Sequence, residues 1–180
     1  METSDEALAA LAANGDRQAF RSLLERHYQR IFRVSFRVLG DRADAEDVAQ
    51  AVCEALPGKL ASFGGRARFA TWLHRLVVNR CRDLIRSRRR DRRKAEAWGE
   101  AEVLARAETG GKRSDLEWLY AAMAVLPPKL RETVALVLGE DMTHAEAATA
   151  LEVSEGTVSW RMSEVKNHLR EMAVREEMLR

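Results

Sequence analysis

The sequence predicts an all-α protein built as two small helical domains joined by a flexible linker. Three observations predict it. Apolar residues recur at the helical spacing of three and four along almost the whole chain, and no strand-like alternation persists. Glycine and proline punctuate these periodic runs at intervals suited to short helices. A polar, weakly periodic stretch, 95–112, ends in Thr109-Gly110-Gly111 and reads as a linker. At 180 residues with 46% hydrophobic content, the chain can bury a core in each of two domains. Low aromatic content with abundant Ala, Leu and Arg favours helix.

In the first domain, 1–94, helices are expected near 6–13, 17–39, 43–56 and 69–88, with breaks at Gly40-Asp41 and Pro57-Gly58. Residues 95–114 form the linker. In the second domain, 115–180, helices are expected at 115–125, 128–138, 143–151 and 155–172. Pro127-Pro128 marks a helix start, since proline fixes φ and a first-turn residue needs no N–H partner.

The last two helices carry the densest local signal. Thr143 with Glu146 spells a capping box, and Ser154 can cap the helix that follows the tight break at Glu152-Val153-Ser154. Ala147, Ala148 and Leu151 give the first helix a small apolar face. Val153 and Val158 can seal the corner, and Met162, Val165 and Leu169 continue the stripe. Small residues at a close crossing are what a helix-turn-helix needs to project its second helix into a DNA major groove. The same pattern also serves an ordinary helical hairpin.

Two faces of the first domain carry chemistry. In 44–56, Val48, Val52 and Leu56 form the core stripe, while Asp47, Gln50 and Glu54 line an exposed polar face. That face is either simply solvated or a docking surface for a basic partner helix. In 69–88, Phe69, Leu73, Val77, Cys81 and Leu84 trace the buried side, and Trp72, Arg75, Asn79, Arg82 and Arg86 trace a neighbouring stripe. An aromatic, an amide and arginines on one face suit single-stranded nucleic acid: a ring stacks on a base, Asn pairs with a base edge, Arg tracks phosphate. Trp72 could equally be core. The preceding SFGGRAR segment, with Phe63, Arg66 and Arg68, is a glycine loop able to fold around an extruded base.

Net charge is +2, but it is unevenly spread. Residues 1–95 carry 20 Lys/Arg against 12 Asp/Glu, and residues 96–180 carry 10 against 16. Nine of the basic residues fall in 80–94, a phosphate-binding footprint at the end of an amphipathic helix. The four histidines are scattered, and Cys53 and Cys81 stand alone inside helical patterns. No metal site, cofactor or small-molecule substrate is expected, and an enzyme is improbable without a P-loop, GxGxxG or nucleophile elbow. The acidic N-terminus and the lack of a long apolar run make a cytoplasmic protein the expectation.

Four segments in order resemble the sigma-70 family of bacterial RNA polymerase sigma factors, in its extracytoplasmic-function (ECF) class: GDRQAFRSLLERHYQRIFRVSFRVLGDRADAEDVAQ, SFGGRARFATWLHRLVVNRCRDLIR, LPPKLRETVALVL and EVSEGTVSWRMSEVKNHL. The resemblance implies a promoter-melting domain 2 and a helix-turn-helix domain 4. It implies that Asp44, Asp47, Gln50 and Glu54 contact the beta-prime clamp of core RNA polymerase. Phe63, Arg66, Arg68, Trp72, Arg75, Asn79, Arg82 and Arg86 would open and read the −10 element of promoter DNA. Ser154, Gly156, Thr157, Ser159, Trp160, Arg161 and Lys166 would read the −35 element. The linker, with Glu96, Glu100, Glu102 and Glu108, would thread the polymerase's active-site and RNA-exit path. A cognate anti-sigma factor is implied as the regulator. The recognition helix departs from the family's basic pattern, with Ser159-Trp160-Arg161 after Gly-Thr-Val and an acidic Glu164, so free DNA should bind weakly. The alternatives are a stand-alone helix-turn-helix regulator and a helical adaptor.

Overall fold

A computed structural model of the chain describes residues 3–97 and 115–178, and these form eight α-helices. The first four are α1 (Asp5–Ala13), α2 (Arg17–Leu39), α3 (Arg42–Leu60) and α4 (Phe69–Ala97). The second four are α5 (Asp115–Val125), α6 (Pro128–Val137), α7 (His144–Leu151) and α8 (Glu155–Met178).

Local chemistry sets the helix ends. Asp16 caps α2 by accepting from the Gln18 and Ala19 amides at 2.9 and 3.0 Å. Gly40, at φ 74°, closes the same helix in the left-handed region that favours glycine, and Asp41 then caps α3 by accepting from the Asp44 amide. The capping box at α7 is complete: the Thr143 hydroxyl accepts from the Glu146 amide and the Glu146 carboxylate from the Thr143 amide. Glu152 turns the chain at φ 58°, and Ser154 caps α8 by accepting from the Thr157 amide at 3.1 Å.

Three helices run past the ends expected from the sequence. α3 continues through Pro57 and Gly58 for one more turn, because Leu56 and Leu60, four apart, both bury against the core. α4 continues past Arg88 to Ala97, and α8 past Met172 to Met178. The α4 helix is therefore about 43 Å long at ~1.5 Å per residue, and its exposed arginines extend well clear of the core.

The core is built on α2, which meets α1, α3, α4 and α6. Ile31, Val34, Val38, Ala45, Ala49, Phe69, Leu73, Val77 and Cys81 are fully buried. The same apolar cluster runs on into the second set of helices through Ala135, Leu136, Met142, Ala147, Leu151 and Val158. A smaller cluster, Leu126, Leu130, Val134, Met162 and Val165, holds α8 against α6 and the turn that precedes it. The two sets of helices thus lie against each other, with α6 on α2 and α7 on α4. Of the four linker acids named above, Glu96 lies in α4, and Glu100, Glu102 and Glu108 fall outside the described residues.

Candidate nucleic-acid and polymerase interface

The outer face of α3 is the simplest of the three candidate surfaces. Val48, Val52 and Leu56 turn inward and bury, so Asp47, Gln50 and Glu54 stand in solvent. The Gln50 amide donates to the Glu54 carboxylate at 2.8 Å, which holds the two as one acidic, hydrogen-bonding strip. Asp44 does not belong to it. It sits one helical turn before Val48, on the buried stripe, with 5% of its surface exposed and its carboxylate paired to the Arg88 guanidinium. Burial pushes the Asp44 carboxyl above its usual range; the Arg88 charge pulls the other way, and burial wins.

The second surface joins the 62–68 loop to α4. Phe69 is fully buried and anchors an aromatic cluster with Phe63 and Trp72, whose ring centroids lie 5.3–5.6 Å apart. Trp72 is half-buried there, with one side of its ring packed against the core. The Glu6 carboxylate accepts from the Phe69 amide at 3.1 Å and so fixes the start of α4. From this anchor, Arg75, Asn79, Arg82 and Arg86 climb one side of the helix. The Asn79 side-chain oxygen accepts from Arg82 at 3.2 Å, and Arg86 pairs with Asp83 at 2.6 Å. Arg66 is exposed on the loop.

α7 and the turns beside it lie on this same face. Arg82 makes a forked pair with Glu132 of α6, at 2.8–3.1 Å. Arg75 meets Glu152 at 2.7 Å, and Arg68 approaches Glu146 at 3.7 Å. Hydrogen bonds from the Thr143 backbone and hydroxyl hold the Glu146 carboxyl below its usual range. Below these pairs, Glu140 inserts a carboxylate only 2% exposed between Arg30 (3.0 Å), Arg33 (3.7 Å) and Arg37 (2.8 Å), with the buried His74 3.9 Å away. From sequence, Glu146 was read as a capping-box residue and Glu152 as part of the turn, and none of Glu132, Glu140, Glu146 and Glu152 was expected to meet an arginine of the first four helices. The signal that could have found them is the opposite charge of the two halves.

The third surface is the start of α8. Ser154 serves as its cap, Gly156 and Ser159 are exposed, and Thr157 is half-buried. His144 of α7 bonds the Ser159 hydroxyl at 2.9 Å, tying the two helices of the motif together across the turn. Trp160 is 61% exposed, and Lys166 is exposed as well. Arg161 does not join them. It follows Val158 by three and precedes Val165 by four, which puts it on the inward stripe, and it is 6% exposed. Its guanidinium donates to the Thr133 hydroxyl at 3.4 Å. Desolvation lowers its pKa, with Glu132 opposing. Among the described residues no metal-binding group of His, Cys, Asp and Glu occurs.

The comparisons with known proteins agree with this arrangement. Residues 23–91 match the family described as Sigma-70 region 2, and residues 116–169 the family described as Sigma-70, region 4. The ECF RNA polymerase sigma factor SigM of Mycobacterium tuberculosis is 31% identical over 171 residues, which cover 93% of this chain and 84% of SigM. The ECF RNA polymerase sigma factor SigE of Mycolicibacterium smegmatis is 30% identical over 95% of this chain and 70% of its own length. Among solved structures, that of CnrH in complex with the cytosolic domain of CnrY superposes with a TM-score of 0.68, at 26% identity, over 95% of this chain and 97% of that one. CnrH is an RNA polymerase sigma factor of Cupriavidus metallidurans. With a helix-turn-helix, an arginine-bearing α4 face and both region matches in the family's order, the chain belongs to the ECF family of RNA polymerase sigma factors.

Proposed function

We propose a division of labour over the three surfaces. The Asp47–Gln50–Glu54 strip of α3 docks on the clamp of core RNA polymerase. The loop with Phe63, Arg66 and Arg68, and the α4 face with Trp72, Arg75, Asn79, Arg82 and Arg86, open and read the −10 element. Ser154, Gly156, Thr157, Ser159, Trp160 and Lys166 read the −35 element from α8. The functional units are 1–94 and 115–180, joined by 95–114.

The observation that carries this reading is the pairing of two different nucleic-acid surfaces on one chain. α8 starts from a capped, tight turn and presents a polar face with one exposed indole, the form of a major-groove reader. α4 presents aromatic, amide and guanidinium groups in series, the form of a single-strand reader. With Arg161 turned inward, Lys166 is the basic residue left on the predicted −35 set, so α8 holds free DNA weakly and recognition depends on delivery by polymerase. An anti-sigma partner regulates the chain, by analogy with CnrH, whose solved structure is a complex with the cytosolic domain of CnrY.

The test is promoter binding by fluorescence anisotropy on duplex and pre-opened fork DNA, with and without core polymerase. Asn79→Ala and Trp72→Ala should weaken fork binding by the holoenzyme about tenfold while leaving core affinity unchanged. Equal binding by native and variant holoenzymes on the fork would remove α4 from −10 reading.

A further inference from the structure

The helices α1, α2 and α3 are each capped by the residue just before them, Ser4, Asp16 and Asp41. The start of α4 is served differently. The residue before Phe69 is Arg68, whose side chain has donors and no acceptor, so it cannot satisfy the first amides of the helix. The acceptor comes from 63 residues away, a Glu6 carboxylate oxygen on the Phe69 amide at 3.1 Å. Phe69 is fully buried, so water does not stand in for that carboxylate. The Phe69 amide in turn holds the Glu6 carboxyl below its usual range. A negative charge is also favoured at this end of the helix dipole.

Phe69 is the centre of the aromatic cluster. Its ring meets Phe63 at 5.5 Å and Trp72 at 5.6 Å between centroids, and His27 edge-on at 5.2 Å. The buried His27 bonds Asp5 through Nε2 at 2.7 Å. Asp5 also accepts from Arg26 at 2.9 Å, and the same guanidinium nitrogen donates to the Thr3 carbonyl at 2.8 Å. Leu8 and Ala9 of α1 are buried in the core that holds Phe69. Two consecutive acids therefore link α1 to the rings: Asp5 seats α1 on α2, and Glu6 carries that position to α4. Neither acid has the charge to hold a promoter phosphate, so any part they take in reading DNA is indirect.

We propose that Glu6 is a positioning residue for the −10 reader: by capping α4 from α1 it sets Phe69, and through Phe69 the Phe63 and Trp72 rings beside which an unpaired base would stack. The inference rests on the reading of α4 given under the proposed function. Without the cap, the Phe69 amide must find water, and the first turn of α4 moves to reach it. The rings then lose their geometry, while Asp47, Gln50 and Glu54 on α3 keep theirs.

The test is holoenzyme binding to fluorescein-labelled fork DNA carrying the −10 element of a promoter that this chain transcribes, and to the same fork with one −10 base replaced. Glu6→Ala should weaken binding to the matched fork about tenfold and reduce the preference over the altered fork, with core affinity unchanged. Glu6→Gln keeps an oxygen that accepts from the amide, and should stay within about twofold of the native chain. Asp16→Ala is the control for a cap that only stabilises. It removes the cap of α2, should lower the melting temperature as Glu6→Ala does, and should leave the binding of both forks unchanged. Native fork binding in Glu6→Ala, with Trp72→Ala still weakened, would overturn the positioning role and leave α4 as the reader. No loss in either variant would overturn both. Equal losses in Glu6→Ala and Asp16→Ala would mark a general effect of stability and overturn the positioning role as well.

Discussion

At the scale of single residues, the start of α8 separates charge from function. Lys166 stands in solvent and Arg161 faces the core, although both carry a positive charge on one helix. Lys166→Ala should lower the salt slope of holoenzyme–promoter binding by about one. Arg161→Ala should leave that slope alone and lower stability by about 2 kcal/mol, read from denaturant midpoints, because Thr133 and the nearby Glu132 lose a partner. His74 gives a second residue-scale prediction. Burial and the Arg30 charge hold it at about 4, below its ordinary 6.5. The unfolded chain therefore takes up the proton first as pH falls. The contribution of neutral His74, about 3 kcal/mol, is complete above pH 6.5 and is lost on descent towards pH 4. The acid decline in melting temperature should be shallower in His74→Gln; an identical decline would remove His74 as its cause. The inward positions of Arg161 and Asp44 were open to sequence reasoning, since each falls on the spacing of its helix's apolar stripe. The motif puts both among the contact residues, whereas their spacing puts both side chains inward, where they are buried.

At the scale of elements, caps and stripes account for most of what the chain does locally. The Thr143–Glu146 box and the Ser154 cap were legible because they need only neighbours in sequence. Thr143→Ala should cost about 1 kcal/mol by removing one side of the box; an unchanged unfolding midpoint would contradict it. The ends of α3, α4 and α8 were not legible. Pro57 reads as a stop, yet the burial of Leu60 carries the helix through it, a tertiary effect. The arginine run after Arg86 has no apolar period and no cap residue to mark where α4 finishes. On α3, the exposed strip and the buried acid should separate in experiment. Asp47→Lys should weaken core polymerase binding about tenfold with little change in melting temperature. Asp44→Asn should leave core affinity unchanged, since its carboxylate faces Arg88 and the core. Loss of core affinity in Asp44→Asn would return it to the docking strip.

At the scale of the whole molecule, a basic half and an acidic half are folded against each other. The charge asymmetry was visible in the sequence, but not that the acids would lie on the arginine face of α4, because that depends on how α7 crosses it. The most direct measurement of the central claim is run-off transcription with purified bacterial core RNA polymerase on a promoter-fragment library, with and without this protein. Specific transcripts that appear only when the protein is added, sharing sequence elements near −35 and −10, are the predicted result. Transcripts indifferent to its addition, with no association between the chain and core polymerase, would contradict the account.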